Sequence, residues 1–181
     1  ETIDEAYPGD VVGLVNPGLF TIGDTLTSDP ALTFDPIPHF PPECFGLLRT
    51  QDISKHKQFQ KGLKQLEEEG VMQIFYSPDH VRREPVLAAV GELQFDVVMS
   101  RLENEYGVKT SVERLPHALA RWIVGDPATI SAVYWPSDTI RLVDQQGRGV
   151  MLFTTEHLLA YCIKSNPSIK FLLREEVEQT T

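Results

Sequence analysis

The chain has 181 residues, of which 41% are apolar and 23% charged, with 12 Gly and 13 Pro. This is the composition of folded protein, enough for one large domain or two modest ones, and it excludes fibrous and largely disordered chains. The net charge of −10 disfavours free duplex DNA as a partner, and no apolar run approaches the roughly 18 residues a membrane span requires.

Residues 1–35 alternate short apolar runs, 11–15 and 19–22, with turns at Asn16-Pro17-Gly18 and Gly23-Asp24. Strands punctuated this way predict part of a β-barrel, with too few strands to close it. Four prolines between Pro36 and Pro42 then forbid helix and favour a stiff extended connector. The domains expected are a barrel segment over 1–36, a connector over 37–42, and α/β units over 43–115 and 116–181.

The first α/β unit reads strand, helix, strand, strand, helix, strand. A strand at 44–49 is followed by a helix capped by Ser54, running to Glu69 and ending at Gly70. Phe59, Gly62, Leu63 and Leu66 form its single apolar face, with Gly62 expected to let the helix approach a sheet closely. Strands at 71–76 and 86–90 flank a polar loop at 77–84. A second helix opens at Gly91, carries Phe95, Val98, Met99, Leu102 and Tyr106 on one side, and stops at Gly107. A clean alternation over 108–113 predicts the last strand. Two helices on one face of an antiparallel four-stranded sheet make a ferredoxin-like unit, so the fold class expected is α+β.

The remaining third repeats that order. A strand at 119–124 leads to a helix started by Asp126 and Pro127, and strands at 139–143 and 150–154 flank a turn at 146–149. Thr155 starts a helix with Leu158, Leu159, Cys162 and Ile163, ended by Asn166-Pro167, and 169–174 is a final strand. The two copies form either separate sheets or one continuous sheet.

Cys44 and Cys162 make no CxxC pair, and the five histidines lie at least 17 positions apart, so no disulfide framework or local metal motif is indicated. The expected setting is cytoplasmic, without metal or cofactor held by these residues. The chain starts at Glu1, inside a strand-like stretch, and is expected to be a piece of a longer protein. It holds no GxxxxGK[ST] loop and no Asn-Lys-x-Asp motif, so these residues do not bind nucleotide by the P-loop mechanism and no catalytic set is nominated. Glu67, Glu68 and Glu69 read as a solvated helix end, Gly91 with Glu92 and Asp96 as a helix start, and Trp122 and Trp135 as core of the second sheet.

Charge is distributed unevenly. Residues 1–48 carry −8, 49–64 carry +4, 65–107 carry −6, and 108–181 are neutral. In the one basic island Lys57, Lys61 and Lys64 share a helix side opposite the apolar face. With Arg49 and Lys55 they are the first candidate contact to a phosphate-bearing partner. The charged loop with Asp79, His80, Arg82 and Arg83 is the second. The alternatives are an ordinary solvated helix side for the first and a plain hairpin connection for the second.

Two sets of residues carry a family resemblance. Gly9-Asp10-Val11-Val12-Gly13-Leu14 and Ile22-Gly23-Asp24-Thr25-Leu26 look like the end of the β-barrel shared by translational GTPases. Ala89-Val90-Gly91-Glu92-Leu93-Gln94-Phe95-Asp96, with Arg101-Leu102 and Glu105-Tyr106-Gly107-Val108, is similar to their third-domain helix. The Gln-Phe-Asp form, with Ile37-Pro38-His39-Phe40-Pro41-Pro42-Glu43 and the run from Gln60 to Gly70, resembles the bacterial peptide chain release factor three family. That resemblance implies the C-terminal, non-catalytic part of a termination GTPase, which promotes GTP-dependent dissociation of class I release factors from the ribosome after peptide release. It also implies a preceding nucleotide domain using GTP and Mg, a ribosomal surface of RNA and protein as partner, and a monomer. The rival reading is a small-molecule regulatory module, because paired ferredoxin-like units often bind ligands between them.

Overall fold

The computed structural model describes residues 3–15, 17, 19, 20, 23–32, 34, 40–78 and 84–178. The chain separates into two compact units, Glu1–Ile37 and Pro38–Thr181.

In the first unit the described residues form turns and extended chain, with no strand or helix. Asp10 accepts from the Tyr7 backbone N–H at 2.8 Å, and Asp29 accepts from that of Ala31 at 2.9 Å. Val11, Val15 and Leu19 are exposed. Among the described residues there is no closed barrel, and the run 11–15 expected as a strand is not one; residues 21 and 22 of the other expected strand lie outside the described residues. Strand backbone requires a neighbouring ladder, and apolar side chains require a second layer.

The second unit contains two βαββαβ arrangements in tandem. The first comprises β1 (Cys44–Thr50), α1 (His56–Glu68), β2 (Gln73–Phe75), β3 (Val86–Ala89), α2 (Leu93–Tyr106) and β4 (Thr110–Leu115). Its sheet order is β2-β3-β1-β4, antiparallel throughout. The second comprises β5 (Leu119–Val124), α3 (Pro127–Ala132), β6 (Thr139–Val143), β7 (Gly149–Phe153), α4 (Glu156–Ser165) and β8 (Lys170–Leu172), in the order β6-β7-β5-β8. Both are ferredoxin-like, and they form two sheets.

Period-two alternation explains how the layers stack. On β3, Leu87 and Ala89 pack under α1 and α2 with Phe59, Leu63, Leu66, Phe95, Val98 and Leu102. The alternate residues Val86 and Ala88 face the other way, with Phe45 and Phe75, against Ala120, Trp122, Leu142, Val150 and Leu152 of the second sheet. On β7, Met151 and Phe153 turn to α3 and α4. The order is therefore helices, sheet, sheet, helices, and strands covered on both faces read as nearly continuous apolar runs. Phe75 and Trp122 meet edge to face across the sheets at 5.8 Å. One reciprocal backbone pair, Tyr76 with Val143 at 2.8 Å in each direction, joins their edges.

Local signals set the helix ends. Asp52 caps a 3-10 turn (Ile53–Lys55) by accepting from Ser54, so the cap expected at Ser54 lies two residues earlier. Gly107 ends α2 at φ +67°, a conformation that suits glycine. Asp126 and Thr155 cap α3 and α4 by accepting from the N–H of Thr129 and Leu158. The strand expected over 169–174 stops at Leu172, and the chain turns into a short helix, α5 (Arg174–Glu178), which buries Val177 in the inter-sheet core. On α4, Leu159 and Cys162 are buried, whereas Ile163 is exposed.

Candidate functional site

α1 buries Phe59, Gly62, Leu63 and Leu66, the four residues of the expected apolar face. A Cβ on Gly62 would stand 2.7 Å from Leu102 and 3.0 Å from the Tyr106 ring. The close approach is thus to α2, not to the sheet as the sequence suggests. With that face committed, Lys57, Lys61 and Lys64 are exposed on the opposite side.

The five cations of the basic island divide by what they touch. Arg49 lies 2.9 Å from Glu113 and 3.7 Å from Glu84. It also shares the β1 face of Phe45 and Leu47, whereas α1 covers the face of Leu48, so it is separated from the lysine side. Lys55 donates to the Gly107 carbonyl oxygen at 2.6 Å. Lys64 pairs with Glu68 at 3.6 Å. Lys57 and Lys61, one helical turn apart, have no ion pair among the described residues and are the cations available to an anionic partner. The loop candidates His80, Arg82 and Arg83, with Asp79, lie outside the described residues.

Of the three acids expected to be a solvated end, Glu68 is exposed, whereas Glu69 and Glu67 are half-buried. Arg101 on α2 binds Glu69 and, at 2.6 Å, Glu105. Its guanidinium holds both carboxyls below the usual range, chiefly through the side-chain hydrogen bonds. Gln65 donates to Glu69 at 3.1 Å and accepts from the Tyr106 hydroxyl at 2.6 Å. These contacts fix α1 on α2 and hence the direction in which the lysines point. Glu67 turns inward, and its Oε2 is buried without a hydrogen-bond partner.

Gln94, the residue on which the family resemblance turns, has a structural role. Its Oε1 accepts from the Val90 and Gly91 backbone N–H groups at 2.7 and 3.2 Å, and its Nε2 donates to the Val71 carbonyl at 3.2 Å. It therefore closes the start of α2 and ties it to the loop entering β2. Trp122 is buried between the sheets and donates to Asp144 at 2.8 Å, while Trp135 packs edge to face with Phe171.

Residues Phe40, Pro41, Pro42, Gln73, Trp122 and Arg174 border a cavity of about 60 Å³. Ligand sites run to several hundred Å³, so this space suits a pair of waters rather than a metabolite. Among the described residues no three His, Cys, Asp or Glu side chains are grouped to hold a metal ion, and no helix is long and apolar enough to cross a membrane.

Sequence reasoning finds the lysine side from spacing alone. It misses the Arg101–Glu69 contact, the position of Glu67 and the bond between Trp122 and Asp144, because these partners lie on different elements. Only the i, i+4 pair Arg101–Glu105 and the turn-forming Asp144 carry a local signal.

The fold and surface define a tandem ferredoxin-like module with an exposed cationic helix side. The family model for the class II release factor RF3, C-terminal domain, matches residues 34–163, and the chain belongs to that family. It is 48% identical over 94% of its length to peptide chain release factor 3 of Nostoc punctiforme, covering 31% of that protein. The same identity and share of this chain hold for the Gloeobacter violaceus protein, with 32% of it covered. The Symbiobacterium thermophilum protein is 42% identical, again over 94% of this chain and 32% of its own length. The chain thus spans about a third of the length of these relatives.

Proposed function

We propose that this chain is the ribosome-docking, non-catalytic portion of a cytoplasmic termination GTPase. In this reading the whole protein uses GTP and Mg to promote dissociation of class I release factors after peptide release. The relatives named peptide chain release factor 3, matched over 94% of the chain, carry this reading. Lys57 and Lys61, exposed and without an ion pair among the described residues, support a ribosomal phosphate surface as the partner. No phosphate loop occurs in the sequence, so in this reading GTP and Mg are held by a nucleotide domain of the whole protein.

Docking is the role that the layered fold serves here. Two sheets packed face to face carry a helix layer on each outer side, so the lysine side of α1 is presented on a body larger than one ferredoxin-like unit. Cosedimentation of the protein containing this chain with ribosomes tests the reading, with binding expected to depend on a non-hydrolysable GTP analogue. Absence of binding under any nucleotide would overturn it.

A further inference from the structure

We propose that the seam between the two ferredoxin-like units is a proton-linked latch, in which the Glu67 carboxyl of α1, with one oxygen buried and unpartnered, loosens the seam when it loses its proton. The inference stands apart from the ribosome-docking reading.

Two carboxyls, one in each ferredoxin-like unit, have opposite surroundings. Asp144, in the turn between β6 and β7, accepts from Trp122 Nε1 at 2.8 Å, Arg148 Nε at 2.7 Å and the backbone N–H groups of Gln146 and Arg148 at 3.0 and 2.9 Å. Four donors saturate it. Glu67 has a buried oxygen with no partner. The carboxyl receives only the Ile74 backbone N–H, and a buried carboxylate with so few donors is costly, whereas the neutral acid costs far less.

The groups facing Glu67 come from every side. On its own helix lies Glu68, after β2 the Tyr76 hydroxyl, in the β6–β7 turn Asp144 with Arg148, and on α5 Arg174, which is paired with Glu178 at 2.7 Å. The Ile74 backbone N–H and Arg174 favour the charged form; Asp144 and Glu68 oppose it. Burial outweighs the favourable groups and pushes Glu67 up to about 7, and burial also raises Tyr76. The same place holds the backbone pair Tyr76–Val143 that joins the sheet edges. Charge appearing on Glu67 is thus placed where the two units meet.

The sign follows from linkage. Unfolded Glu67 titrates near 4.5 and folded Glu67 higher, so the folded chain retains a proton that the unfolded chain has lost. Stability is then full below about pH 4.5 and falls as pH rises through 7.

Amide hydrogen exchange of Tyr76 and Val143 in the 181-residue chain, corrected for the intrinsic pH effect, reads the latch directly. Protection is expected to drop about tenfold between pH 6 and pH 8, and Glu67→Gln, which stays neutral, is expected to abolish the drop. An equal drop in both chains, or none in the unsubstituted chain, would overturn the proposal. A carbon NMR titration of the unsubstituted chain guards against a misfolded variant: a Glu67 midpoint near 7 supports the latch, and one near 4.5 removes it.

Discussion

The Lys55 Nζ donates to the Gly107 carbonyl oxygen at 2.6 Å, so a side chain leading into α1 closes the C-terminal end of α2. A cation there meets both an unsatisfied carbonyl and the negative end of the helix dipole. Lys55→Ala is therefore expected to lower stability by about 1 kcal/mol and to leave ribosome affinity nearly unchanged. Urea unfolding, together with cosedimentation, checks both halves.

At Gly62 the two helices come closer than any other residue allows. Ala at this position gains about 1 kcal/mol of helix propensity but drives its Cβ to 2.7 Å from Leu102 Cδ2 and 3.0 Å from the Tyr106 ring, so the fully buried Leu102 side chain must shift. Overpacking of this kind costs about 1–3 kcal/mol. The expected outcome for Gly62→Ala is a net loss of stability in a thermal melt.

Gln94→Ala removes an acceptor for two backbone N–H groups and a donor to the Val71 carbonyl. The expected cost is about 1–2 kcal/mol, with the α2 start and the 71–72 loop exchanging amide hydrogens faster. Equal protection in both chains would show that water replaces the side chain without loss.

Acid unfolding carries the opposite sign to the Glu67 effect. Glu69 and Glu105 titrate below their usual value because Arg101 binds their charged forms. Their contribution is present above about pH 4.5 and is lost as pH falls through their folded values. Replacing Arg101 by Met, which keeps the aliphatic bulk, is expected to flatten the acid limb of the stability profile. The effect on midpoint stability at pH 7 is expected to be modest, since the pairs are partly exposed.

Much of this was legible in the chain because the signals are local. Phe59, Gly62, Leu63 and Leu66 mark the buried face of α1 through spacing alone, and Gly107, Asp126-Pro127 and Thr155 mark helix ends through backbone chemistry. Alternation on β3 and β7 requires two covered faces, but not the identity of the second cover, which is why the sheet-on-sheet stack had to be seen. α5 escaped because Arg-Glu-Glu-Val-Glu has one apolar residue and no periodicity to detect. Of the candidate contacts, Lys57 and Lys61 remain available, whereas Arg49 and Lys55 are engaged by partners on β4 and α2 that a helical wheel does not show. The Glu67 oxygen buried without a partner leaves no mark in a helical run of three acids.

The docking account is tested most directly by the salt dependence of ribosome binding for the double variant Lys57→Glu, Lys61→Glu, in the protein containing this chain. Loss of two phosphate contacts is expected to weaken binding several-fold at low salt and to reduce the slope of log affinity against log salt by about 2. Unchanged affinity and slope, in a variant that melts like the parent, would contradict it.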